Sequence, residues 1–75
     1  MPRKLRQLRS DLRHAGWSID RQSGSHQIWK HSLIPGVEVN LAGADGKDAH
    51  PYQERDVRDA VRQAQEAQEA QRRQP

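Results

Sequence analysis

Leu5, Leu8 and Leu12 recur at i, i+3 and i+7, the spacing of one helix face. At about 100° per residue, Arg6, Arg9 and Arg13 fall together on another face. Pro2 suits a first helical turn, where its missing N–H costs nothing. Gly16 after His14-Ala15 is a natural stop in the left-handed conformation. The pattern predicts an amphipathic helix over residues 3–15, with a leucine seam and an arginine stripe. The period then changes. Trp17-Ser18-Ile19-Asp20-Arg21 alternates apolar and polar as a strand does, and Gln22-Ser23-Gly24 is turn chemistry. His26 to His31 reads as a second strand completing a hairpin. Ser32 to Gly36 is a loop signalled by Pro35-Gly36, and Val37-Glu38-Val39-Asn40-Leu41 alternates as a third strand. A polar connection from Gly43 to Pro51 leads to Val57, Ala60, Val61 and Ala64, which are spaced as a second helix. From Gln65 on, Gln, Glu and Ala repeat with no large apolar residue. That stretch either extends the helix into solvent or frays.

The order is helix, three antiparallel strands, helix. Three strands need cover on one face, and the two helical seams supply it. The expected fold is α+β, a two-layer αβββα sandwich with both helices on one face of the sheet. Trp17, Ile19, Val37, Val39 and Leu41 are expected to point at the helices. The second strand is ambiguous, because Ile28 and Trp29 lie on opposite faces. If Trp29 is inside, His26 is outside by parity. If Ile28 is inside, Trp29 lies outside beside Gln27 and His31. Residues 1–64 are expected to form the single domain, with 65–75 a polar tail.

Composition narrows the class. With 75 residues, 32% hydrophobic and a mean hydropathy of −1.19, the chain has a thin core and no room for a deep cofactor cavity. No cofactor is expected. The absence of Cys excludes disulfides and thiolate metal sites and suits a reducing compartment. No apolar run reaches the roughly 18 residues of a membrane span, and the N-terminus has charges without an apolar signal core. A cytoplasmic protein without membrane contact is expected. Charge is uneven: residues 1–35 carry seven Lys/Arg against two acids, and residues 36–75 carry six against eight. A cationic half invites a phosphate backbone.

His26 is the strongest candidate for chemistry, since imidazole gives or takes protons near neutral pH. RNA suits it, because the ribose 2′-hydroxyl is a nucleophile already beside the phosphate, and a protein need only move protons and stabilise charge. On this reading Lys30 and Arg21 stabilise charge and His31 is a second proton carrier. Arg6, Arg9 and Arg13 grip phosphates, Trp29 stacks on bases, Ser25 adds a contact, and Lys47 touches the backbone. Three other arrangements fare worse. His26, His31 and His50 are poorly spaced for a metal, with the first two split between strand faces. Ser25-His26 lacks an orienting third group. The segment Gly43 to Asp48 lacks the spacing of a phosphate loop.

The motifs resemble the HicA family of bacterial toxins. The matching pieces run in order: Leu5…Leu12…Gly16-Trp17, Arg21-Gln22-Ser23-Gly24-Ser25-His26, Trp29-Lys30-His31, the Val37–Leu41 strand and Gly46-Lys47-Asp48. Gly-Ser-His followed three residues later by an aromatic is the most specific part. The resemblance covers about residues 3–64. It departs from the family at Leu41-Ala42-Gly43, where members often carry a Pro-x-His-like element, and in the Gln/Glu/Ala tail. It implies a double-stranded-RNA-binding-domain-like fold and a toxin–antitoxin mRNA interferase that cleaves without metal. It also implies catalysis by His26 and a HicB-like antitoxin that covers the active site. The rival readings are a non-catalytic RNA-binding module and a purely protein-binding domain.

Overall fold

The computed structural model describes residues 2–73. Helix α1 (Leu5–His14) buries the leucine seam, with Leu5, Leu8 and Leu12 all essentially inaccessible. Strands β1 (Ser18–Ser23), β2 (His26–Lys30) and β3 (Val39–Leu41) form an antiparallel sheet in the order β1-β2-β3. Helix α2 (Pro51–Arg72) buries Val57, Ala60 and Ala64. The architecture is the αβββα sandwich read from the sequence. Both helices begin alike. The backbone N–H of Lys4 donates to Gln7 Oε1 at 2.8 Å and that of His50 to Gln53 Oε1 at 2.9 Å. Each is a glutamine reaching back to satisfy a donor left open at the helix start.

Helix α1 stops where expected, and the closing geometry shifts β1. Gly16 takes φ +96°, its N–H donates to Arg13 O at 3.0 Å, and Trp17 N–H donates to Leu12 O at 3.0 Å. This Schellman closure uses Trp17 for the helix end, so β1 begins at Ser18 instead of Trp17. The Trp17 ring is buried all the same, and its Nε1–H donates to Ala60 O on α2 at 3.2 Å.

Strand β2 resolves the parity question. Trp29 is 0% exposed and Gln27 is buried, while His26 and Lys30 are exposed and Ile28 is half-buried. Trp29 therefore packs under the helices with Val39 and Leu41, and His26, Ile28, Lys30 and Asn40 face outward. In β1 a bulge breaks the alternation. Ile19 pairs with Trp29, but Arg21 pairs with Ile28, leaving Asp20 as the extra residue. The bulge turns Arg21 onto the outer face, where strict alternation would have put it beside Ile19.

Val37 corrects an expectation. It is 37% exposed and precedes β3 instead of opening it. Its N–H closes the Pro35-Gly36 turn onto Ile34 O at 3.4 Å, with Gly36 at φ +85°, so the chain enters the sheet only at Val39. The C-terminal stretch continues α2 unbroken to Arg72. It is not wholly without contacts: Gln68 Nε2 donates to Ala15 O at 3.0 Å, an end carbonyl of α1 that also bonds His31.

Candidate nucleic-acid interface

The turn between β1 and β2 is two residues long, Gly24-Ser25, closed by the pair Ser23–His26. Gly24 has φ +59°, and among the described residues only glycines have positive φ, so Ser25 does not. A positive φ at the first central position alone is the signature of a type II′ hairpin, whose twist matches the flanking strands. His26 is thus the first residue after a tight turn, exposed, and on the uncovered face of the sheet. It shares a shallow groove with Arg21, Gln22, Ser23 and Ile28.

The turn is held from beneath by Arg9. This side chain is 5% exposed and reaches three segments. Nε donates to Gln27 Oε1 at 2.7 Å, Nη1 to the carboxylate of Asp45, and Nη2 to Gly43 O at 2.6 Å and Ser25 O at 3.3 Å. A buried guanidinium is costly unless its donors find acceptors, and four of its five N–H groups do so here. Arg9 therefore does not grip phosphate, as the sequence suggested. It fastens α1 to β2, to the residue before His26, and to the loop between β3 and α2. Nothing in the spacing singled it out from Arg6 and Arg13; its partners Gln27, Gly43 and Asp45 lie 18, 34 and 36 residues away.

Two further expectations are corrected by burial. Trp29 cannot stack on a base: its ring is inaccessible, its Nε1–H lies buried without an acceptor, and the Arg13 guanidinium covers it 5.2 Å from the ring centroid. His31 is no proton carrier to a substrate, because it is buried with both ring nitrogens engaged. Leu33 N–H donates to Nδ1 at 3.1 Å, so the proton sits on Nε2 and is donated to Ala15 O at 2.9 Å. The ring also meets Trp17 edge-on at 5.3 Å. With His31 enclosed, the three histidines weighed as a metal set do not converge.

The remaining cations expected at the site divide into two groups. Arg21 and Lys30 lie on the open face but share it with two acids. Arg21 pairs with Glu38 at 2.8 Å and Asp20 at 3.3 Å, and Lys30 with the same two at 3.6 and 3.5 Å. That face is locally balanced. Arg6, Arg13 and Lys47 are exposed, and no carboxylate lies within ion-pair distance of them among the described residues. Arg6 and Arg13 stand one helical turn either side of Arg9, which itself touches Ser25. Of these three, Lys47 lies in the loop that Arg9 ties to the turn, while Arg13 lies over Trp29 farther along β2. Ser25 is exposed in the turn, with its carbonyl taken by Arg9.

Topology gathers the turn, this loop and the start of α1 at one end. Leu41 pairs with Gln27, so β3 ends beside the start of β2. The loop that follows meets the start of α1: Arg6 N–H donates to Asp45 O at 3.1 Å and Leu5 N–H to Lys47 O at 2.9 Å. The family model described as HicA toxin of bacterial toxin-antitoxin matches residues 5–65. That span takes in α1, the hairpin with its histidine, the Arg9 clamp and most of α2. No curated protein and no solved structure matches the chain.

Proposed function

The chain belongs to the HicA family of toxins from bacterial toxin–antitoxin systems, and from that premise we propose that it is an endoribonuclease cutting mRNA with His26 as proton carrier. A HicB-like antitoxin that covers the exposed turn would neutralise it. In the reaction the ribose 2′-oxygen bonds to phosphorus as the bond to the 5′-oxygen breaks. One proton leaves the 2′-hydroxyl and one reaches the departing 5′-oxygen, leaving a 2′,3′-cyclic phosphate and a free 5′-hydroxyl. His26 carries one of these transfers and water the other, since His31 is enclosed. The nucleophile is supplied by RNA itself, so the scheme calls for no metal.

The observation that carries this reading is the exposure of His26 directly after the tight Gly24-Ser25 turn, in a groove shared with Arg21, with the unpaired Lys47 in the loop that Arg9 ties to that turn. Arg21 lines the same groove and would exchange Glu38 for the scissile phosphate. Cleavage of unstructured RNA in the presence of a chelator tests the reading. His26→Ala is expected to lose about 10²–10⁴-fold in rate, and equal cleavage by both proteins would refute it.

The pairing of Arg21 and Lys30 with acids favours one second reading, an RNA-binding module without catalysis. It predicts salt-sensitive binding, no cleavage, and little effect of His26→Ala.

A further inference from the structure

Tyr52 is the most exposed large apolar side chain among the described residues, at 52%, and it takes no part in the core. Its ring lies almost parallel to that of His50, with centroids 5.6 Å apart and planes 10° from one another. Both residues are exposed. Neither enters the chemistry proposed for His26.

The pair is mounted rigidly. Pro51 separates the two residues in sequence at the start of α2, where its fixed φ suits the helix. The His50 N–H is tied to Gln53 Oε1 at 2.9 Å, and Gln53 Nε2 donates onward to Ala42 O at 3.1 Å. Ala42 directly follows β3, whose last residue pairs with Gln27 next to His26. The two rings therefore stand at the same end of the molecule as the catalytic turn. Lys47 lies three residues ahead of His50 and Arg55 three residues beyond Tyr52, and both are exposed. A flat aromatic surface edged by cations matches a nucleotide, with a base for the ring and a phosphate for the charge.

We propose that His50 and Tyr52 form a stacking platform for a base of single-stranded RNA, holding the strand whose scissile phosphate lies at His26. The proposal rests on the ribonuclease reading for its substrate. It supplies the aromatic contact for which Trp29 is unavailable. Stacking of this kind tolerates any base, because every base has a π-face. A ring with few rotatable bonds loses little entropy on contact, and one held at a helix start loses less.

The test uses the intact chain and a fluorescein-labelled 2′-O-methyl oligouridylate, which lacks the attacking hydroxyl and is not consumed. Tyr52→Ala is expected to weaken binding about tenfold, within the range for one stacked base. Tyr52→Phe, which keeps the ring, should bind as the wild type does. The Tyr52→Ala loss should persist as salt is raised, because stacking releases no counterions. Equal affinity of Tyr52→Ala and wild type would overturn the platform, as would an effect of Tyr52→Ala confined to capture of the antitoxin. Cleavage of unmodified RNA, run alongside, separates the two proposals. Normal cleavage with no effect of Tyr52→Ala on binding removes the platform alone. A Tyr52-dependent affinity without any cleavage supports the platform and removes the nuclease.

Discussion

Arg9 Nε donates a 2.7 Å hydrogen bond to the side-chain oxygen of Gln27, and both side chains are buried. A buried charge next to a buried amide is costly unless its polar atoms are matched. Here three more guanidinium N–H groups go to Asp45, Gly43 O and Ser25 O, so four of the five donors are matched. The Arg9 side chain joins the first helix to the residues on either side of His26, Ser25 and Gln27, so stability and site geometry share one side chain.

Arg9→Ala should therefore destabilise the fold by about 1–3 kcal/mol, because it leaves the buried Gln27 oxygen without its donor while the exposed Asp45 carboxylate returns to water. Arg9→Lys should recover only part of this, because an ammonium cannot reproduce the planar fork. Urea unfolding followed by circular dichroism reads both. A loss under about 1 kcal/mol in Arg9→Ala would show that the clamp is not structural.

His26 should behave in the opposite way. It is exposed and outside the core, so His26→Ala should change unfolding free energy by no more than about 0.5 kcal/mol. Thermal unfolding of the variant beside its cleavage assay separates loss of chemistry from loss of fold.

The unequal pairing of cations predicts unequal effects on RNA. Arg6→Ala, Arg13→Ala and Lys47→Ala should each reduce the salt slope of binding by about 0.7, the single-strand value per neutralised phosphate. Glu38→Gln should tighten binding at low salt, because it releases Arg21 and Lys30 from a shared acid. Fluorescence anisotropy across a salt series measures all four. Weaker binding by Glu38→Gln would mean that those two cations do not meet RNA.

Gly16 closes α1 at φ +96°, and a Cβ there would stand 2.7 Å from His31 Nε2. Gly16→Ala should cost at least about 2 kcal/mol, since the left-handed conformation alone costs about 1–2 for an L side chain. His31→Ala should cost about 2–3 kcal/mol, because it leaves Leu33 N–H without its acceptor and opens a void against Trp17. Both are read from denaturant midpoints.

What the chain determined by itself was the local and periodic part. The i, i+3, i+7 leucines define the buried face of α1 whatever packs on it, and Gly16 can end that helix because it has no Cβ to oppose positive φ. Gly24 likewise marked the turn before His26, although Gln22 and Ser23, expected in that turn, extend β1 and leave the turn only Gly24-Ser25. The αβββα order followed from those periods and stops. Tertiary structure decided which polar residues were available to a ligand. Arg6, Arg9 and Arg13 look alike along the helix, yet only Arg9 meets Gln27, Gly43, Asp45 and the Ser25 carbonyl. Trp29 and Ile28 compete for one interior, and the choice of Trp29 enclosed His31 two residues on. The bulge at Asp20 carried Arg21 to the outer face, where two acids meet it. Each of these outcomes depends on groups far apart in sequence satisfying one another's charge, volume or hydrogen bonds, and a linear pattern of apolar and polar positions holds no record of such partners.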